Sequence, residues 1–286
     1  MCRKYTNAQH NTKGVLHLAT TLLKSSNEKL DLLYTYIDKF DKVAIAYSGG
    51  IDSTFLGAAA KNVLGKNVYL VTTCSYSLSK QELKEAANIA EELNLPHILL
   101  DSTEFECPNF IKNDHLRCYY CKKNKFLTIK EWTDKEHITI IFEGTHKDDE
   151  TDHRPGKTAI AEIKEVTSPL NKTGFTKAEI RCIAKKWQLS NWNKPSKSCL
   201  ATKIAEGLPI TPERVQQIEE CEIYLGSNNL KTFKLKHHDD ILKIEITNNE
   251  AAKFFPVKYE TEKKIKALGF KEIYYNINLT RNKNGF

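Results

Sequence analysis

The sequence predicts an α/β domain built on a parallel sheet, followed by a smaller α+β domain. Apolar strand-like runs alternate with amphipathic helical patterns over the first part of the chain, which is the signature of βαβ units and a parallel sheet. The pattern changes near Gly207–Pro212. Later strands alternate polar and apolar residues, as half-exposed antiparallel strands do. We therefore expect a first domain over residues 1–207 and a second over 208–286.

The elements of the first domain follow from residue periodicity. Apolar residues at helical spacing predict a leading helix within Thr20–Phe40. Capping-box patterns at Ser79 and Thr176 mark two later helix starts. The remaining predicted elements are strands at Val43–Tyr47, Asn67–Thr73, Pro96–Leu100 and Glu136–Phe142, and helices at Thr54–Leu64, Ser79–Leu93 and Thr176–Trp187.

The second domain begins with a predicted helix over Pro212–Leu225. Two alternating strands, "TFKLKHH" and "ILKIEIT", come next. A helix over Asn249–Gly269 follows, which Pro256 should interrupt because proline lacks an amide hydrogen. A last strand, "KEIYYNINL", completes the domain.

Composition indicates a water-soluble protein with a substantial core. Of the 286 residues, 40% are hydrophobic and 28% charged, and we find no apolar run of about 18 residues that would predict a membrane helix. The amino-terminal segment is polar and lacks an apolar signal core. We expect a cytoplasmic protein, whose eight cysteines are then thiols, metal ligands or catalysts rather than disulfides.

The net charge of +7 comes from 43 basic residues, of which only six are Arg. The Lys residues are spread along the chain, whereas nucleic-acid binders usually cluster basic charge on one face. The charge thus argues against a nucleic-acid partner and is compatible with small anionic substrates.

The stretch "VAIAYSGGIDSTFLGAAA" joins a predicted strand to a predicted helix. Two glycines let the backbone approach an anion closely, and free amides at a helix start attract phosphate. The hydroxyl groups of Ser48, Ser53 and Thr54 add hydrogen-bond donors. The carboxylate of Asp52 can cap the helix or hold Mg²⁺. The spacing is neither Walker A nor G-x-G-x-x-G. The predicted phosphate-binding residues are Ser48, Gly49, Gly50, Asp52, Ser53 and Thr54.

Two further segments carry cysteines in suggestive positions. Cys118 and Cys121 form a C-x-x-C at the start of a predicted helix, and Cys199 lies in "KPSKSCLATKI". The pair could be a redox couple, half of a zinc site, or chance core thiols, with Cys107 and His115 as conceivable further ligands. Placement at a helix start predicts a lowered thiol pKa.

The glycine loop resembles the SGGxDS loop of the PP-loop ATP pyrophosphatases. That resemblance implies cleavage of ATP between its α and β phosphates, with adenylation of a substrate. It further implies that the loop holds pyrophosphate with Mg²⁺, and that the adenine lies near the end of the second strand, around Thr72–Ser75.

The resemblance extends to one branch of that superfamily, the LarE-like sulfur insertases, and covers nearly the whole chain after about residue 25. That branch makes the thiocarboxylates of the nickel-pincer nucleotide. The segments that carry the resemblance are Glu143–Gly156, Val166–Arg181, Lys194–Ile204 and Leu208–Val215.

The resemblance implies one of two sulfur sources. In one mode a single cysteine, here matched by Cys199, gives up its sulfur and becomes dehydroalanine. In the other, three cysteines hold a 4Fe–4S cluster that carries an extra sulfide, and the added Cys118 and Cys121 match this type. Three thiolates leave one iron without a protein ligand, where a sulfide can bind. The resemblance also implies a homo-oligomer and a small anionic carboxylate substrate, with a nucleotide as one candidate, and leaves the sulfide source open.

The chain departs from the family pattern at basic positions. The family usually has Arg where this chain has Lys203, and tends to have Arg at the positions of Lys234 and Lys236. Lysine keeps the charge but loses the bidentate fork to phosphate, so the substrate can differ from the pincer precursor. The expected substrate or phosphate contacts are Lys203, Arg154, Lys234 and Lys236. A polar loop with Asp148, Asp149, Asp152 and Arg154 follows the fourth predicted strand.

Three other functions remain open from the sequence. A tRNA thiolation enzyme shares the loop and can also use three cysteines, but needs a basic RNA-binding face. An ammonia-dependent amide synthetase would not need the three cysteines. A non-enzymatic nucleotide-binding module would bind ATP and release no pyrophosphate.

Overall fold

The computed structural model describes residues 27–151 and 155–278. Its larger sheet has five strands in the order β3-β2-β1-β4-β5, and every pairing is parallel. This confirms the predicted α/β class, with one short strand that the sequence did not reveal, β5. The strands are β1 Val43–Ala46, β2 Val68–Cys74, β3 His97–Asp101, β4 Ile141–Phe142 and β5 Val166–Thr167.

The strand order reverses between β1 and β4. The chain moves outward from β1 to β2 and β3, then returns to the other side of β1 for β4 and β5. The loops after β1 and β4 therefore diverge and leave a crevice at the carboxyl edge of the sheet. In open α/β sheets this switch point is where ligands bind.

Helices cover the sheet and connect its strands. The first described helix, α1, covers residues 27–37, so part of the predicted leading helix lies outside the described residues. Both predicted capping residues precede helices: Thr176 completes a capping box, and Ser79 accepts from the amide of Glu82. The other helices of this region are α2 Ile51–Leu64, α3 Lys80–Glu92, α4 Pro108–Ile111, α5 Arg117–Lys135, α6 Pro155–Ala161, α7 Pro169–Lys172 and α8 Lys177–Lys186.

The predicted strand over Glu136–Phe142 is too long. Helix α5 continues to Lys135, and its terminal turn takes up the next residues. His137 has a φ of 54°, and the amide of Ile138 donates to the carbonyl of Thr133 at 2.8 Å. Only Ile141 and Phe142 therefore pair with β1.

The predicted second set of elements is present at the carboxyl-terminal side. Strands β6 Phe233–His238 and β7 Ile241–Thr247 are antiparallel, as expected. Strand β8 Glu272–Asn278 pairs in parallel with β7. The helices are α9 Pro212–Ser227, α10 Asn248–Phe254 and α11 Lys258–Ala267, and a 3₁₀ turn containing Pro256 separates the last two.

The apolar core around this smaller sheet also includes side chains from earlier in the chain. Phe110, Leu200 and Ile204 are buried in the same cluster as Leu235 and Ile244. Ile204 also forms a parallel bridge with His237 of β6. A domain boundary at residue 208 stays a prediction. Contacts across it bring the segment after Cys199 against β6.

Within the described ranges, none of the helices combines the length and apolarity needed to cross a membrane.

Candidate active site

The glycine loop lies at the switch point, between the end of β1 and the start of α2. Gly49 has a φ of +66°, and a Cβ there would lie 2.7 Å from the Cβ of Ala86 in α3. Only glycine fits this position without strain. Gly144, after β4, has a related role, since a Cβ there would lie 3.2 Å from the Cβ of Asp52. The two glycines let α3 and the β4 loop close around the start of α2.

Hydroxyl groups hold the loop in shape. Ser48 Oγ accepts from the amide of Gly50 at 3.3 Å, and Ser53 Oγ donates to the carbonyl of Gly50 at 3.2 Å. Gly50 caps α2 without a side-chain hydrogen bond, so the first amides of the helix face the crevice uncapped by a side chain. Such a start attracts an anion. Helix α2 begins at Ile51, three residues before the predicted start, so Asp52 and Ser53 belong to its first turn.

Asn191, which the sequence did not single out, supports the loop from below. Its Nδ2 donates to the carbonyl of Gly49 at 3.0 Å and to Thr54 Oγ1 at 2.9 Å. Thr54 is fully buried, so its hydroxyl group serves to hold the Asn191 side chain in place. Its predicted role in nucleotide binding stays a prediction.

Asp52 directs its carboxylate toward residues from two other segments. Lys177 Nζ, at the start of α8, lies 2.5 Å from Asp52 Oδ2, and His146 Nε2 lies 3.9 Å from Oδ1. Within the described part of the chain, Oδ1 is buried and has no hydrogen-bond partner. An oxygen of this kind is the type of ligand that Mg²⁺ takes. The amide of Lys177 is held by Asp148 Oδ2 at 2.8 Å, which links the polar loop after β4 to this site.

The cysteines lie where the fold brings three segments together. Cys118 and Cys121 are in the first turns of α5, and Cys199 caps a 3₁₀ turn over Leu200–Lys203. The amide of Leu200 donates to the carbonyl of Ser77 at 3.1 Å, so Cys199 is tied to the segment that follows β2. Cys121 and Cys199 are close enough to interact electrostatically. Cys118 is exposed.

Glu104 connects the cysteine helix to the end of β2. It is fully buried, and its carboxylate accepts from Ser75 Oγ at 2.5 Å, from Ser77 Oγ, and from Cys121 Sγ at 3.1 Å. Lys125 Nζ lies 3.5 Å from the same carboxylate. Burial works to raise the pKa of Glu104, but Lys125 and the hydroxyl donors hold it below its usual value. No sequence pattern pointed to Glu104 or Lys125, because they meet the cysteines only in three dimensions.

The expected low pKa at the helix start is wrong for Cys121. Burial and the neighbouring Glu104 carboxylate raise the pKa of its thiol to about 12, against the opposing charge of Lys125. The contact with Glu104 ties this end of α5 to the segment that follows β2. Without a bound metal, Cys121 is therefore a protonated thiol that donates to Glu104.

The other described cysteines differ in their surroundings. Cys221 is buried in α9, and Cys107 packs against the same apolar cluster as Cys121 and Cys199. Among residues 27–151 and 155–278, no three His, Cys, Asp or Glu side chains are close enough to hold a single metal ion. A 4Fe–4S cluster spreads its ligands farther apart than one ion does.

The basic residues of the expected substrate site differ in their environment. Lys203 Nζ is paired with Glu222 at 2.5 Å. Lys236 Nζ donates to the carbonyl of Thr202 at 2.8 Å. Lys234 is exposed and lies opposite Glu245 in the sheet register. Arg154 and Asp152 lie outside the described residues.

A parallel sheet with an S-G-G-x-D-S loop between its first strand and a buried helix defines a PP-loop nucleotide-binding protein. A family model described as NAD synthase matches residues 26–107, which include this loop. An uncharacterized protein of Synechocystis is 32% identical over 79% of this chain and 84% of its own. Another, from Methanocaldococcus jannaschii, is 31% identical over 85% of this chain and 92% of its own.

The pyridinium-3,5-bisthiocarboxylic acid mononucleotide synthase of Lactiplantibacillus plantarum is 28% identical over 84% of this chain and 87% of its own. These three matches cover about four fifths or more of the chain, far more than the loop alone. The chain belongs to the LarE-like family of PP-loop enzymes, which use ATP.

Proposed function

We propose that this chain is an ATP-dependent sulfur insertase. It adenylates a substrate carboxylate, releases pyrophosphate and converts the carboxylate to a thiocarboxylate. The observation that carries the proposal is the contact of both cysteine segments with the residues after β2. The amide of Leu200, next to Cys199, donates a hydrogen bond to the carbonyl of Ser77. Cys121 is linked to Ser75 and Ser77 because all three donate hydrogen bonds to the carboxylate of Glu104. An adenylate with its base near Thr72–Ser75 would then have its acyl group within reach of a sulfur source.

The adenylation half is assigned to the glycine loop. The substrate carboxylate attacks the α-phosphate of ATP, and the α–β phosphoanhydride bond breaks. The uncapped amides of α2 and the hydroxyls of Ser48 and Ser53 would stabilise the departing pyrophosphate. Asp52 would hold Mg²⁺ through the oxygen that lacks a protein partner. Lys177 adds a positive charge at the same point.

The sulfur half is assigned to Cys118, Cys121 and Cys199. Thiolates are the ligands that 4Fe–4S clusters take, so the donor set fits such a cluster chemically. When bound, the cluster would supply the sulfide. Lys125, which lies beside Cys121 and Cys199, contributes a positive charge that offsets their thiolate charge. Attack of sulfide on the acyl carbon then releases AMP.

The acceptor is proposed to be a carboxylate-bearing nucleotide. The name of the Lactiplantibacillus plantarum relative describes a pyridinium dicarboxylic scaffold and a mononucleotide phosphate. Basic residues near the cysteine turn, Lys203 and Lys236, suit an anionic acceptor of this kind. The homo-oligomer and the nature of the sulfide source remain expectations.

Protein purified without oxygen tests both halves. We expect about four irons and at least four sulfides per chain with broad visible absorbance, as a 4Fe–4S cluster requires. We also expect pyrophosphate and AMP release that depends on both ATP and a pyridinium carboxylate nucleotide. Pyrophosphate release that instead depends on ammonia would indicate an amide synthetase. A salt-dependent shift of tRNA would indicate tRNA thiolation.

A further inference from the structure

His146 lies in the loop after β4, and its side chain is buried next to Asp52. Only 7% of the residue is exposed, and its Nε2 lies 3.9 Å from Asp52 Oδ1. Asp52 Oδ1 and His146 Nδ1 are both buried and have no hydrogen-bond partner within residues 27–151 and 155–278. Because a buried polar atom without a partner is unfavourable, two of them in one contact pair indicate that an ion binds there.

The backbone holds the imidazole in this position. The amide of Lys147, the next residue, donates to the carbonyl of Phe175 at 2.8 Å. Gly144, two residues earlier, packs so closely on the start of α2 that an added Cβ would lie 3.2 Å from the Cβ of Asp52. His146 is therefore fixed between two anchored positions, and its place beside Asp52 does not depend on a side-chain hydrogen bond.

The separation of 3.9 Å between the two side chains distinguishes two kinds of contact. A direct hydrogen bond from imidazole to carboxylate would be shorter, about 2.7–3.2 Å. Two ligand atoms of one metal ion, each about 2.1 Å from it, are about 3–4 Å apart. The observed distance therefore fits an ion bound between Asp52 Oδ1 and His146 Nε2.

Asp149 supports the other nitrogen of the same ring. The amide of His146 donates to Asp149 Oδ2 at 3.1 Å, and the amide of Asp149 donates to the carbonyl of His146 at 3.0 Å. This short turn places Asp149 Oδ2 3.5 Å from His146 Nδ1. Histidines that bind metal usually direct their second ring nitrogen to a carboxylate, which fixes the tautomer and leaves the first nitrogen free for the ion.

We propose that His146 and Asp52 are two protein ligands of the cation that accompanies ATP, and that the imidazole makes this site prefer a first-row transition ion to Mg²⁺. This rests on the proposed function and deepens it. Mg²⁺ takes oxygen ligands, whereas imidazole nitrogen suits transition ions. Two protein ligands are sufficient because the phosphates of a bound nucleotide supply others. Lys177 occupies only the second oxygen of Asp52, so it leaves Oδ1 available.

Electron spin echo spectroscopy of Mn²⁺ on the full-length chain tests this ligation directly. The nucleotide is α,β-methylene-ATP, whose α–β bridge cannot be cleaved. We expect the wild type to show nuclear modulation from a coordinated nitrogen, and isotopic labelling of histidine nitrogen should change it. His146→Gln should abolish this modulation. It should also weaken Mn²⁺ binding by at least about ten-fold, since loss of even an outer-shell partner typically costs about ten- to a hundred-fold. Mg²⁺ binding should stay nearly unchanged.

His137→Asn is the matched control, because His137 is exposed at the other end of β4. Its φ of 54° is a conformation that asparagine also adopts. This variant should keep both the modulation and the Mn²⁺ affinity of the wild type. A wild-type Mn²⁺ complex without histidine modulation, or modulation that survives in His146→Gln, would overturn the proposal. Failure of the proposed function would show separately, as absence of acceptor-dependent pyrophosphate release by the wild type with either metal.

Discussion

Lys177 Nζ lies 2.5 Å from Asp52 Oδ2, which joins the first turn of α8 to the first turn of α2 across 125 residues of sequence. The pair occupies one carboxylate oxygen of Asp52 and leaves the other buried without a hydrogen-bond partner among the described residues. The loop that should hold pyrophosphate therefore has a positive charge and an open metal ligand side by side.

Asp52→Asn should abolish pyrophosphate release while the protein stays folded. The amide keeps the shape of the side chain but removes the charge that Mg²⁺ needs. We expect a fall in rate of at least about a hundred-fold, as for loss of a group that stabilises transition-state charge. A phosphate-release assay coupled to pyrophosphatase measures it, with thermal unfolding as the check on folding. Wild-type release would remove the assignment of this loop to ATP cleavage.

Lys177→Met should lower pyrophosphate release by about ten-fold or more, because a positive charge at the leaving group is lost. The matched control is Lys172→Met, a lysine of the preceding helix whose ammonium donates to the hydroxyl of Tyr36 instead. Equal rates in the two variants would show that Lys177 does not contribute to pyrophosphate release.

Gly49→Ala should destabilise the fold as well as the site. An added Cβ would meet the Ala86 Cβ at 2.7 Å in a backbone with positive φ, so we expect a loss of about 1–3 kcal/mol. Gly226→Ala in α9 is the control, since nothing lies within 4 Å of the added Cβ. Alanine has a higher helix propensity than glycine, so this change should stabilise the protein by up to about 1 kcal/mol. Urea unfolding compares them. Equal stability of the two variants would contradict the close packing of the loop on α3.

Each of Cys118→Ala, Cys121→Ala and Cys199→Ala should lose both iron and sulfur transfer if the three share one cluster. Cys182→Ala and Cys221→Ala should lose neither. ATP binding should survive all five changes because the phosphate contacts come from another loop. Iron analysis and thiocarboxylate formation provide the measurements.

Intact mass after turnover distinguishes the sacrificial-cysteine mode. In that mode only Cys199 is required for sulfur transfer, and each chain transfers one sulfur atom. The spent chain is then lighter by one H₂S. Dehydroalanine at position 199 would defeat the cluster hypothesis. An unchanged mass after several turnovers would support it.

Stability should fall at alkaline pH partly through Cys221. Burial raises the pKa of its thiol to about 12, above about 8.5 in an unfolded chain. A raised folded-state pKa gives stability that is fully present below the unfolded pKa and is lost as pH rises toward 12. The loss attributable to this thiol is at most about 1.4 kcal/mol per pH unit. Cys221→Val should show a shallower fall between pH 9 and 11 in urea unfolding. A slope equal to the wild type would show that the thiol does not contribute.

Local patterns predicted much of the secondary structure. The apolar run at Val43, the capping box at Thr176 and the interruption at Pro256 depend on neighbours in the sequence, so each could be read directly. The two-residue strand β5 could not, because its pairing comes from β4 rather than from a long periodic run. The start of β4 was misplaced because α5 continues to Lys135 and its terminal turn takes up the next residues.

The glycine loop and the cysteine spacing could be read from the sequence, since both are contiguous motifs whose chemistry lies in their own side chains. Their surroundings depend on long-range folding. Asn191 under the loop, Lys177 on Asp52 and Glu104 on Cys121 come from segments far apart in the chain. The pKa of the Cys121 thiol is raised for the same reason, because burial and a neighbouring carboxylate depend on long-range folding and cannot be read from the local sequence.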